Sequence, residues 1–260
     1  MLTPRFLPGF AFSADYFRID LRDAIDTISA QETINRCFEG VASFCDAITQ
    51  DPVNGTRILI RSQPFNYVRK LVRGIDFDAS YRMPLDRLFA GARGAFTIHG
   101  LATRYIENIS DTGIVGNLVL NTVGVNGGQT GTPTWIFRVS AAYDSPEGSI
   151  TLVGRGVSSG RYTANALVCS TNCPVGRSTT DLSQLPTYDV NHVSGALYFD
   201  LNITKNFNAM GRGDGEFFIN VTNLFDARPI LVPETGLAAN STYSDLLGRE
   251  FRVGVRIHIR

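Results

Sequence analysis

Residues 250–260 read EFRVGVRIHIR, and their side chains alternate without a break. Phe251, Val253, Val255, Ile257 and Ile259 fall on one side, Arg252, Gly254, Arg256, His258 and Arg260 on the other. Successive side chains of a strand point to opposite faces, so this strand has one wholly apolar face and one charged face. Such a strand suits a wall with lipid on one side and a watery lumen on the other.

The same alternation recurs upstream. Trp135, Phe137, Val139, Ala141 and Tyr143 oppose Thr134, Ile136, Arg138, Ser140 and Ala142, so the apolar face carries an aromatic at each end, as interfacial girdles require. Val193, Gly195, Leu197, Phe199, Leu201 and Ile203 form a third such face, Ile75, Phe77, Ala79 and Tyr81 a fourth, and Phe217, Ile219 and Val221 a fifth. Phe10–Leu21, Ala92–Ile106 and Gly148–Tyr162 also read as strands, but their parity is blurred and assigns no face. Together these make about eight strands, several of the roughly 9–11 residues that a tilted strand needs to cross a bilayer.

The connections between them alternate in length. Met83–Gly91, Asp144–Glu147 and Asn206–Asp214 are short; Arg22–Phe65, Glu107–Pro133, Thr163–Val190 and Leu224–Gly248 are long. Short turns on one rim and long loops on the other is the outer-membrane barrel pattern. The first long loop predicts one helix over Ser29–Thr49, with Ser29 and Glu32 at capping-box spacing and Gly40 as a point of division. The fold class expected is therefore all-β, an antiparallel transmembrane β-barrel segment in one unit, with one short helical loop.

Bulk properties fit this. Net charge is zero, which argues against nucleic-acid binding. No run of about 18 apolar residues exists, so no transmembrane helix is expected. The first residues, MLTPRFLPGFAFSADYF, do not resemble a signal peptide, so the expectation is that the beginning of the protein is missing. Four cysteines form two close pairs, Cys37 with Cys45 and Cys169 with Cys173, both in long loops. Local disulfides are the expected use in a secreted context; free thiols or a metal site are the alternatives, and spacing does not fix the connectivity.

The sequence contains no HExxH, Walker loop or dinucleotide fingerprint, and no catalytic constellation is expected. Asp76 and Asp78 share a face and are read as lining a wet lumen rather than as an acid–base pair. Asn202-Ile-Thr204 and Asn220-Val-Thr222 lie in strands and are not read as glycosylation sites. Arg212-Gly213-Asp214 falls in a turn, and Gly124–Gly131 is read as a flexible loop. No cofactor or metal is expected.

FFINVTNLFDARP (217–229) followed by YSDLLGREFRVGVRIHI (243–259) strongly resembles the C-terminal end of TonB-dependent outer-membrane receptors. The matching motif residues are Asn223, Leu224, Phe225 and Asp226, then Gly248, Arg249 and Phe251, and their expected role is structural. SADYFRIDLRDAI, INRCFEGVASFC and RGIDFDASYR resemble the family in the same order. The family usually ends on an aromatic, where this sequence has Ile259 and then Arg260. The resemblance implies a C-terminal part, 1–260, of a wide barrel of about 22 strands, without the plug domain. It implies a non-enzymatic receptor in the outer membrane for a siderophore, haem, a vitamin or an oligosaccharide. Its partners would be outer-membrane lipid, the barrel-assembly machinery and, through a plug missing here, the TonB complex. Two other readings remain open: a small self-contained barrel for adhesion or structure, and a soluble β-sandwich binding module.

Overall fold

Every spatial neighbour in the main sheet is also the next long strand in the sequence. A computed structural model describes residues 1–27, 30–38, 40–50, 58–61, 64–87, 91–111, 119–127, 131–174, 186–208, 213–231 and 243–259. Its eight-stranded antiparallel sheet runs β1 (Phe10–Thr27), β2 (Pro64–Pro84), β3 (Ala95–Asp111), β4 (Trp135–Ser145), β5 (Gly148–Val157), β6 (Ala196–Asn208), β7 (Gly213–Thr222) and β8 (Glu250–Ile259). β1 and β8 do not pair with each other, so the sheet is open.

Register carries the apolar face of β8 across the whole sheet. Val253 and Val255 stand opposite Ile219 and Phe217 of β7. Ile219 stands opposite Ile203 of β6, Ile203 opposite Ile150 of β5, and Ile150 opposite Tyr143 of β4. Tyr143 faces Phe96 of β3, and Phe96 faces Met83 of β2. At the other edge, Phe10 of β1 faces Tyr81. Val253, Val255 and Ile257 are more than half exposed, and Val139, Ile150 and Leu197 nearly half. A contiguous apolar surface of this extent is what a protein turns toward lipid or a partner, not toward water.

The three strands of blurred parity acquire faces here. β1–β3, at 18, 21 and 17 residues, outrun the apolar band. Above Tyr16 and Ile75 the same face turns charged: Arg73 pairs with Glu107 at 2.7 Å, and Arg69 with Asp20 at 2.8 Å. At this boundary the β2–β3 register shifts between Arg73 and Gly74, leaving Ile106 without a partner. Such a bulge flips the parity of β3 above it. In β1 the apolar residues change sides, from Phe10, Phe12 and Tyr16 on one face to Phe17, Ile19 and Leu21 on the other.

Five phenylalanines stand directly opposite glycines: Phe17 and Gly74, Phe137 and Gly156, Phe199 and Gly154, Phe207 and Gly215, Phe218 and Gly254. A Cβ at each of these glycines would meet the facing ring. The ring therefore lies down over its neighbour's backbone and covers it, a cross-strand packing device that also pins register.

Some expectations need correction. β5 ends at Val157, not Tyr162, and β6 begins at Ala196; Gly160–Arg161 and His192–Val193 leave the wall and pair with each other. The Ser29–Thr49 helix is two, α1 (Ala30–Phe38) and α2 (Ala42–Cys45), divided at Gly40, whose φ of 89° no helix accommodates. Thr49 lies in a short strand, Ile48–Gln50, paired with Ile58–Ile60. On α1, Phe38 is 61% exposed and Thr33 is buried. Ser29, the expected cap, and Arg212 lie outside the described residues. Gly124–Gly131 is partly fixed, because the Gly124 carbonyl accepts the Arg161 amide at 2.7 Å and Val125 bridges to Arg161.

Val139 lies midway along the apolar face of β4, and Ser140 is on the opposite face. Val139→Arg is expected to cost about 2–4 kcal/mol in a lipid-vesicle folding titration, the usual cost of a midplane cation facing lipid, while Ser140→Arg stays near wild type. Equal costs would overturn the facing.

Candidate functional site

The polar face carries a row of residues in lateral register: Asp78, Leu101, Arg138, Arg155 and Tyr198, one from each of β2 to β6. A cavity of about 370 Å³ opens over this row, lined by Leu101, Thr103, Ile136, Arg138, Arg155 and Tyr243. Strand alternation supplies the first five; Tyr243 comes from the connection between β7 and β8.

Arg155 holds the site together. Its Nε donates to Asp200 Oδ2 at 2.8 Å, and its Nη2 donates to Asp245 Oδ2 at 2.9 Å. The guanidinium stacks over the Tyr198 ring at 5.1 Å, and Tyr198 is 2% exposed. Asp245 is two residues beyond Tyr243, so this ion pair ties the last connection to the wall beside the cleft. Burial pushes the Tyr243 phenol above its ordinary pKa, and the nearby Tyr105 phenol adds to the shift. The phenol therefore remains a neutral hydrogen-bond donor throughout the physiological range. Arg138 is exposed, and no hydrogen bond or ion pair to it is seen among the described residues. The cleft thus offers one committed cation, one available cation, a neutral phenol and an apolar floor. That set suits binding of a polar or anionic ligand; it holds no nucleophile–base pair.

Asp200 also accepts the backbone N–H of Asn223 at 2.9 Å. Asn223 is fully buried with φ of 52°, a left-handed conformation that Asn tolerates better than most residues. Its side chain substitutes for a peptide: Nδ2 donates to the Ala227 carbonyl at 2.9 Å, and the Ala227 amide donates to Oδ1 at 2.8 Å. The Leu224 amide donates back to the Phe199 carbonyl at 2.6 Å, and the Phe225 ring meets Phe199 edge-on at 5.3 Å. Asp226 accepts the Arg249 amide at 3.1 Å, and Arg249 Nη1 reaches the Leu224 carbonyl at 3.4 Å. Gly248, at φ 76°, turns the chain into β8, and Arg249 covers the Phe251 ring at 5.6 Å. The seven motif residues thus form one knot joining the ends of β7 and β8, adjacent to the cleft.

Cys37 and Cys45 are joined, with Cα atoms 4.6 Å apart, and close the α1–α2 pair; Cys169 and Cys173 are joined at 5.6 Å. Asp76 accepts from the Thr103 hydroxyl at 2.6 Å, and Asp78 contacts His99 at 3.1 Å. Both carboxylates lie on the polar face, apart from the cleft's cations. The sequence reading put Arg138 on the polar face but did not single out Arg155, Asp200 or Asp245. Alternation could have flagged Arg155 opposite Arg138; nothing in the sequence points to Asp245, 90 residues away.

The open wall, the single apolar face and the sorted loops have a counterpart among known proteins. Residues 3–224 match the family described as TonB dependent receptor-like, beta-barrel. This chain belongs to the TonB-dependent receptor β-barrel family. Comparisons with curated proteins and with solved structures gave no match. The family is one of outer-membrane transporters. The match ends at Leu224, so most of the knot and all of β8 lie beyond it.

Asn223→Ala is expected to lose about 3–4 kcal/mol, from two buried hydrogen bonds at roughly 1 kcal/mol each and a left-handed backbone at roughly 1–2. Asn223→Gly keeps the backbone free and is expected to lose only about half of that. Chemical unfolding of the two variants compares the costs, and a glycine variant as damaged as the alanine one would refute the backbone share.

Proposed function

We propose that this chain is the C-terminal wall of a TonB-dependent receptor that takes up a scarce or large nutrient across the outer membrane. The observation that carries this reading is the open sheet. An exposed strand edge in hydrocarbon leaves N–H and C=O groups unpaired at several kcal/mol each, so a spanning sheet must close. Further strands bridging the open edges of β1 and β8 would close it, as in the wide barrels of the family, and a self-contained barrel would need β1 and β8 to meet. A soluble sandwich is disfavoured by the continuous apolar face.

In this reading the short turns face the periplasm and the long disulfide-bearing loops face outward. A plug domain elsewhere in the protein fills the lumen and couples to the TonB complex. Ligand, whether siderophore, haem, vitamin or oligosaccharide, contacts Arg138 and Tyr243 at the cleft. The barrel-assembly machinery inserts the wall.

Two outcomes are expected. An antibody against 250–260 detects an outer-membrane polypeptide well above 28.4 kDa; a band at 28.4 kDa would refute the wall-segment reading. Labelled ferric siderophore, haem, cobalamin and maltooligosaccharide are offered to cells with and without TonB. Uptake of one of them depends on TonB, and Arg138→Ala raises its half-saturation about tenfold or more, the worth of one charge-assisted hydrogen bond. Uptake that persists without TonB would sink the proposal.

A further inference from the structure

A second cavity lies at the opposite rim from the loops, on the lipid face. It measures about 490 Å³, between the β4–β5 turn, the β2–β3 connection and β6. Ile150 and Ile203, directly opposite each other in register, form an apolar floor together with Tyr143. Arg93, Glu147 and Lys205 line its polar margin. Lys205 continues the lipid-facing parity of Leu201 and Ile203, so it is a cation at the end of an apolar row. Its Nζ donates to Glu147 Oε2 at 3.0 Å, yet the two side chains are 62% and 74% exposed. Pairs so exposed contribute little and exchange readily. Lys205 holds the Glu147 carboxyl below its ordinary pKa, and Arg93 adds to the effect, which places all three charges in one field. Arg93 is exposed; its carbonyl accepts the Tyr143 hydroxyl at 3.1 Å, and no hydrogen bond to its guanidinium is seen among the described residues.

Two cations against one carboxylate leave a charge of one, at the level where the apolar floor ends. That profile fits a singly charged phosphodiester with alkyl chains attached. We propose that the cleft binds the headgroup of an anionic phospholipid of the inner leaflet, its phosphate between Arg93 and Lys205 and its first acyl carbons over Ile150 and Ile203. This rests on the wall spanning the membrane with its short turns inward, but not on any transport. Anionic lipids gain about 1 kcal/mol per basic residue at a membrane surface, so two basic residues give roughly tenfold or more in affinity.

The test uses the receptor purified from membranes, delipidated in detergent and titrated with phosphatidylglycerol, with retained lipid counted by native mass spectrometry. Heat-modifiable gel mobility verifies that each variant is folded. Wild type is expected to retain phosphatidylglycerol and to ignore diacylglycerol of the same chains. The double variant Arg93→Gln, Lys205→Gln is expected to bind about tenfold more weakly. Glu147→Gln, which removes the competing carboxylate, is expected to bind more tightly. Equal retention of diacylglycerol would reduce the cleft to a greasy groove. Unchanged binding in the double variant, or no gain in Glu147→Gln, would overturn the phosphate clamp. Displacement by an equal concentration of glycerol 3-phosphate would assign the site to a soluble phosphate ester instead. Because no step of the assay involves uptake, its result stands whether or not the uptake proposal survives.

Discussion

Within a bilayer every backbone N–H and C=O must find a partner inside the protein, and this wall is organised around that requirement. Seven strand pairs meet it for the six interior strands, each pair being antiparallel neighbours in sequence. Buried apolar side chains contribute little here. Among the described residues few hydrophobics are buried, and the largest apolar surface faces outward. Little of the apolar surface is thus spent on a core within the sheet, and the sheet's hydrogen bonds determine which residues meet.

That arrangement leaves the polar face free for function. Its lateral rows bring together side chains far apart in sequence, so Asp78, Leu101, Arg138, Arg155 and Tyr198 share one line. The cleft forms where this line meets the connection after β7. Asn223 is the reason the connection returns: its left-handed backbone and peptide-like side chain reverse the chain, and Asp200 anchors it while also holding Arg155. Wall, knot and cleft therefore share a single carboxylate.

Much of this was legible beforehand. Alternation gave five of the eight wall strands a face, the other three were read as strands without one, and loop lengths sorted the two rims. Faces could not be read for β1 and β3, where polarity reverses above the membrane band and Ile106 interrupts the register. They could not be read for β5, where the lipid side is held by Gly154 and Gly156, whose apolar cover comes from Phe199 and Phe137 on other strands. The NLFD motif was visible as a resemblance, but its mechanics were not, since Ala227 has no chemical signature of an acceptor. Arg155–Asp245 lay wholly out of reach: an ion pair across 90 residues leaves no local pattern.

The meander has a consequence for how the wall comes into being. Because each strand pairs only with its sequence neighbours, no pairing has to wait for a distant part of the chain, and the sheet can grow hairpin by hairpin with little loop-closure entropy per step. The Arg155–Asp245 contact reaches farther, across 90 residues. It requires the connection following β7 to fold back over β5, so the cleft is complete only with the final hairpin in place.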